Sequence, residues 1–218
     1  MLARSNLKFF WLQWIIVNMI SLAGGFSLPF SVPGLIKSFG GSSIVSLGIY
    51  SPDILMGITA ATAMGTAQWL VLKNRILRLH PLWIATNIIG LLISAFITLC
   101  LGGLSSLSSA PSSFTQEIQG SFLYGILGGL VGGLLIGFAQ SFVLMEWASW
   151  ILVNGIAWSL AWGTALATTL VIDRLLYIRL NVDLSGSIQL IIFGSILGFI
   201  SSLLTGTYLI YLLKRSDT

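Results

Sequence analysis

Residues 138–154 read FAQSFVLMEWASWILVN. Two primary amides, Gln140 and Asn154, stand at equal distances on either side of Trp147 in an otherwise apolar run. Long apolar flanks around a short turn predict two antiparallel helices. Residues equidistant from the turn then lie at similar depth. With a rise of about 1.5 Å per residue, each amide sits roughly one to two turns below the water boundary. An amide there cannot rely on water. Gln and Asn each carry two donors and an acceptor oxygen, so such groups can satisfy one another across helices.

Composition says what surrounds those helices. Of 218 residues, 56% are hydrophobic and 7% charged, against about a quarter charged in soluble domains. Ten basic and six acidic side chains cannot cover a water-exposed surface, so lipid is the main solvent. The net charge of +4 does not mark a nucleic-acid binder. The basic residues lie at the ends of apolar runs, as membrane anchors do, and not along one stripe. Cys100, the single cysteine, permits no internal disulfide and reads as a small buried hydrophobe.

A membrane span needs about 20 apolar residues. Six segments qualify: 9–31, 53–72, 82–104, 121–145, 149–172 and 187–213. Every backbone group in hydrocarbon must be satisfied within its own segment, which predicts helices. The fold class is therefore all-α, a polytopic bundle of six transmembrane helices forming one domain over 1–218. The first span also carries a cleavage-like Ser21-Leu22-Ala23. Its apolar run continues to Phe30, so we read it as a span. Arg4, Lys8, Lys73, Arg75, Arg78, Lys214 and Arg215 fall on one side of this arrangement, and Lys37, Arg174 and Arg179 on the other. The excess places both termini in the cytoplasm. Residues 32–52, 103–120 and 173–186 are then outer connections, with Asp53 at the outer end of the second span and Glu146 in a cytoplasmic turn.

The opening stretch has a counterpart upstream. GTAQWLVL (65–72) matches GFAQSFVL (137–144), and WIATN (83–87) matches WILVN (150–154) and WIIVN (14–18). A similar interval beyond Gln140 reaches Thr205, within GTYLIYLL. Small residues keep the same rhythm, four apart. They are Gly57, Ala61 and Gly65 in the second span, and Gly125, Gly129, Gly133 and Gly137 in the fourth. The sixth has Gly194, Gly198, Ser202 and Gly206. The unit is a ridge of small residues, a polar residue, a turn, then Trp-Ile-x-x-Asn. It occurs as spans two–three and four–five, and a third copy is split between spans six and one. Fixed-period similarity of this kind signals one supersecondary unit used repeatedly. It predicts a pseudo-threefold arrangement of hairpins closed by the first and last helices. The layer of polar residues is Asn18, Gln68, Asn87, Gln140, Asn154 and Thr205. It reads first as register-fixing hydrogen bonds and second as a binding layer.

Lipid supplies no hydrophobic drive between helices, so close backbone approach has to hold them. The ridge glycines, answered by Gly155, Ser159 and Gly163 on the fifth span, are expected to pack helices. Their density predicts the fourth span at the centre of the bundle. Trp11, Trp14, Trp69, Trp83, Trp147 and Trp150 fall near the cytoplasmic span ends and read as an interfacial belt. Trp158 and Trp162 are deeper and read as packing or lipid-facing.

Several chemistries lack their residues. His80 is the only histidine and stands at a span end, so a metal site or an intramembrane Ser–His pair is not expected. No phosphate-binding G-x-x-x-x-G-K-[ST] loop is encoded. No Asp, Glu, Lys or Arg lies in the interior of a span, Asp53 standing at the outer end of the second, which disfavours a proton-coupled pump.

The repeated Gly-x-x-x-Gly-x-x-Gln element followed by Trp-Ile-x-x-Asn resembles a group of six-span membrane proteins common in cyanobacteria. The resemblance runs through residues 65–72, 83–87, 137–144, 150–154 and 205–209. It implies a bacterial membrane, plasma or thylakoid, and carries over no activity. Ser141, where the upstream copy has Trp69, and Glu146, where a basic residue is usual, depart from that pattern. Together these features predict a non-enzymatic integral membrane protein without a cofactor. It would be an accessory, assembly or scaffold protein that binds partner subunits of a larger complex or membrane lipid. The alternatives are a small-solute transporter or pore using the Gln/Asn layer, and a pigment- or quinone-binding protein using the amides, His80 or the deep tryptophans.

Overall fold

A computed structural model describes residues 4–31, 52–73, 80–105, 113–144, 148–181 and 186–215. They form six helices: α1 Arg4–Ser31, α2 Pro52–Leu72, α3 Leu82–Ser105, α4 Phe114–Leu144, α5 Ala148–Leu180 and α6 Gly186–Arg215. Five of them, all but α3, are long and apolar enough over their described residues to cross a membrane. Side chains of α3 are described only through Ile93. The readings of Lys37, Arg75, Arg78, Glu146 and Trp147, and of the side chains of Arg4, Asp53 and Cys100, fall outside the described residues.

Two helices run further than their apolar runs predict. The sequence pattern keeps the Ser-rich stretch in a loop to residue 120, but α4 begins at Phe114. Ser113 caps it: its Oγ accepts the Gln116 N–H at 3.3 Å, and Glu117 places a carboxylate in the first turn, where the helix dipole favours it. At the other end of the hairpin α5 continues past Asp173 to Leu180. Asn181 stops it with a left-handed φ of 51° and an N–H donated to Tyr177 O at 3.0 Å. Asn tolerates that conformation, and this bond is the usual closure of such a helix end. The 33 residues of α5 extend about 50 Å, more than the hydrocarbon core of about 30 Å. Its last turns accordingly expose Leu175, Tyr177, Ile178 and Leu180.

The helices pack in chain order, each against its neighbours, and α6 closes on α1. The fourth helix is therefore one member of a ring and not its centre, contrary to the expectation from its glycines. Those glycines serve one flank. A Cβ on Gly125 would lie 2.6 Å from Gly163 Cα, and one on Gly137 2.9 Å from Ile151 Cα. Cβ atoms on Gly129 and Gly133 would collide with Trp158 O and Asn154 O. This brings α4 backbone-close to α5. Gly194 and Gly198 do the same for α6 against Leu22 O and Asn18 O of α1, at 2.6 and 2.7 Å. Gly65 faces Ile84 Cα of α3 at 3.1 Å. Gly155 and Gly163 accept α4 side chains, Leu134 and Ile126. Gly57 departs from its predicted role: among the described residues a Cβ there would meet nothing within 4 Å. The near contact in that part of the ring is Gly25 of α1 on Ala60 of α2.

Two apolar clusters fill the ring. One holds Phe10, Trp14, Leu72, Trp83, Trp150 and Leu209. The other, deeper, includes Leu22, Met64, Leu91, Ile136, Trp158 and Leu197. In sequence the polar residues fall between them on every helix. Asn18 lies between Trp14 and Leu22, Gln68 between Leu72 and Met64, and Asn87 between Trp83 and Leu91.

A buried amide–indole layer as the candidate site

All six predicted polar residues come to one level and are buried: Asn18 1%, Gln68 7%, Asn87 0%, Gln140 2%, Asn154 2% and Thr205 5% exposed. At that exposure each polar atom needs a partner inside the protein.

Gln140 and Asn154, the pair that frames the α4–α5 turn, do not bond each other. Gln140 Nε2 donates to Asn87 Oδ1 on α3 at 3.1 Å. Its Oε1 accepts from Trp150 Nε1 on α5 at 3.1 Å. Asn154 Nδ2 turns back to Trp150 O, one turn earlier on its own helix, at 3.0 Å. Gln68 makes the same bonds. It donates to Asn18 Oδ1 at 2.7 Å and accepts from Trp83 Nε1 at 3.0 Å, and Asn87 Nδ2 donates to Trp83 O at 2.8 Å. The amides thus join between hairpins, and the indole joins the two helices within one. The reason lies in the spacing of Trp-Ile-x-x-Asn. At i and i+4, the Asn amide reaches the Trp carbonyl, which leaves its Oδ1 facing the next hairpin.

On α6, Thr205 accepts an indole N–H as the two glutamines do. Trp14 Nε1 donates to its Oγ1 at 3.1 Å, and Asn18 Nδ2 donates to Trp14 O at 2.7 Å. A threonine side chain stops at the γ position, however. Its hydroxyl hydrogen goes to Ser201 O on its own helix at 2.9 Å and not to Asn154. Hydrogen bonds therefore cross every interface of the ring at this level except α5–α6. That interface carries aromatic contacts instead: Trp150 on Tyr208, and Trp162 edge-on to Phe193 with centroids 5.1 Å apart.

The tryptophans correct the belt reading. Trp14, Trp83 and Trp150 are 1%, 0% and 1% exposed, interior members of the layer. Trp11 and Trp69 keep partial exposure; Trp11 donates to Thr207 Oγ1 at 3.3 Å, and Lys73 stands over the Trp69 ring. Trp158 is buried in the deeper cluster and faces no lipid, and Trp162 packs between Phe26 and Phe193. His80 is exposed, its Nδ1 accepting the Leu82 N–H at the start of α3. Further along α5, Trp162 Nε1, Thr169 Oγ1 and Asp173 Oδ1 are buried without a hydrogen-bond partner among the described residues. The extended helix thus carries a partly buried carboxylate that the drawn span excluded.

Missing from the predicted site were the three indoles. Their signal was the first letter of the repeated Trp-Ile-x-x-Asn, which position near a span end made look interfacial.

The ring and its layer define an all-helical, multi-pass membrane protein with a buried network of amides and indoles. A search of protein-family models, of curated proteins and of solved structures finds no match to the chain.

Proposed function

We propose that the chain is a non-enzymatic membrane scaffold or accessory subunit, a rigid six-span body whose outward faces hold partner subunits or lipid. One observation carries this reading. The polar layer spends its hydrogen bonds within the protein at every interface of the ring but α5–α6, and it lies between two apolar clusters built of large side chains. Polar groups spent on one another fix geometry and register; in membranes each such bond contributes only about 0.6 kcal/mol on average. The outward faces are apolar. On α1, Phe9, Leu12, Ile16 and Ile20 form one exposed stripe at helical spacing.

We read the body as three copies of one helical pair about a pseudo-threefold axis, with α6 and α1 as the split copy. The matching bonds at Gln68 and Gln140 support this, as does the contact of α6 with α1. Exposed Lys8, Lys73, Lys214 and Arg215 lie at the ends of α1, α2 and α6 nearest the indoles, which favours a cytoplasmic location for that end and for both termini. The host membrane would be a bacterial plasma or thylakoid membrane.

The test is purification from native membranes in mild detergent, with mass spectrometry of what accompanies the chain. A scaffold migrates within a larger assembly with defined protein or lipid partners. Migration as a bare monomer, together with solute flux in liposomes that Gln140→Leu abolishes, would replace this reading with a pore.

A further inference from the structure

At the level of the amide layer the ring encloses a cavity with about 10 Å³ of room for the centre of a water molecule. Asn154, Ser202 and Thr205 are among the side chains that line it. Two of these have unspent polar atoms. Asn154 is 2% exposed and donates to Trp150 O, but its Oδ1 has no donor among the described residues. Ser202 is 1% exposed, and its hydroxyl has no hydrogen-bond partner among the described residues. At the two other corresponding positions a glutamine carboxamide supplies the donor, Gln68 to Asn18 and Gln140 to Asn87. Here the side chain is Thr205, two bonds shorter, with its hydrogen committed to Ser201 O.

We propose that this cavity is a binding site for one water molecule, which stands in for the missing carboxamide and completes the hydrogen bonding of the layer between α5 and α6. The room is that of about one water-sized sphere, and a buried water needs two to four polar partners. It finds them here. The water donates to Asn154 Oδ1 and accepts from the Ser202 hydroxyl. Thr205 Oγ1, which accepts from Trp14 Nε1, keeps a second lone pair for the water's other hydrogen. An empty cavity would leave Asn154 Oδ1 and Ser202 Oγ, both on buried residues, without a partner among the described residues.

The experiment is a structure of the natural chain in lipid at a resolution that shows ordered water, beside the same structure of Thr205→Gln. The expected result is a density peak within hydrogen-bond distance of Asn154 Oδ1 and Ser202 Oγ. In Thr205→Gln the peak disappears, the new carboxamide bonds Asn154 and Trp14, and the thermal unfolding midpoint rises. A natural chain with no peak in the cavity overturns the proposal, as does a peak that persists in the variant beside a carboxamide already bonded to Asn154. Should Thr205→Gln fail to fold, Ser202→Ala decides: the peak weakens or vanishes if Ser202 holds the water, and an unchanged peak overturns the assignment.

Discussion

The α3–α4–α5 corner and the α5–α6–α1 corner are built from the same parts and finished differently. At the first, Gln140 reaches both ways, taking the Trp150 indole hydrogen and giving its own to Asn87. At the second, Thr205 takes the Trp14 indole hydrogen and gives nothing across to Asn154. Across α6–α1 the helices approach as closely as across α4–α5: Gly198 lies on Asn18 O and Gly206 on Trp14. Close approach across α6–α1 therefore does not depend on a carboxamide, since the Trp14 indole is met there by the Thr205 hydroxyl. Small residues bring the backbones together, and the amide layer then fixes which side chains meet. This ordering agrees with the modest energy of hydrogen bonds in membranes and the dominance of packing there.

Gln140→Leu should break the comparison hardest. Leucine fills a similar volume but leaves Trp150 Nε1 without an acceptor and Asn87 Oδ1 without a donor, both fully buried. Each orphaned group costs about 1–3 kcal/mol, so a loss of about 3 kcal/mol is expected. Thermal unfolding in mild detergent measures it. A loss no larger than that of a surface substitution would mean that Gln140 is not the keystone of its corner.

Asn87→Leu comes next. It removes the acceptor of Gln140 Nε2 and the bond to Trp83 O, while Gln140 keeps its indole partner. One buried donor is orphaned in place of two groups, for about 1.5 kcal/mol. Near-additivity with Gln140→Leu in the double variant would contradict the direct contact, because partners in one bond are strongly non-additive.

Much of this was legible in the sequence, and the misses have physical causes. Apolar length located every helix among the described residues, because backbone satisfaction in lipid allows little else. The recurring Gln and Asn gave the layer its level. Charge and aromatic rules, in contrast, report position along the membrane normal and nothing about direction around a helix. Trp83 near a span end looked interfacial, yet its place one turn before Asn87 puts it inside. Glycine density likewise gave the close approach of α4 but not its location in the ring, because a glycine stripe serves one neighbour and not all of them. The ends of α4 and α5 escaped because a Ser cap and an Asn181 stop extend helices beyond their apolar runs.

Asn154→Leu should cost least, and its smallness is the sharpest test of the difference between corners. By sequence Asn154 and Asn87 are the same residue of the same motif. In the structure Asn87 accepts from Gln140, whereas Asn154 has no protein donor at Oδ1 among the described residues. Its replacement removes one bond to Trp150 O, a carbonyl that lies within the regular part of α5 and is engaged by the helix ladder in any case. No protein donor is orphaned. The expected loss is about 0.5 kcal/mol, the low end for a net intramolecular hydrogen bond, since the bond lies within one helix. That is well under half the loss expected at Asn87, measured by the same unfolding midpoint. Equal losses at the two asparagines would mean that something in the folded protein bonds Asn154 as firmly as Gln140 bonds Asn87, and the two corners would then differ in the identity of the donor and not in its presence.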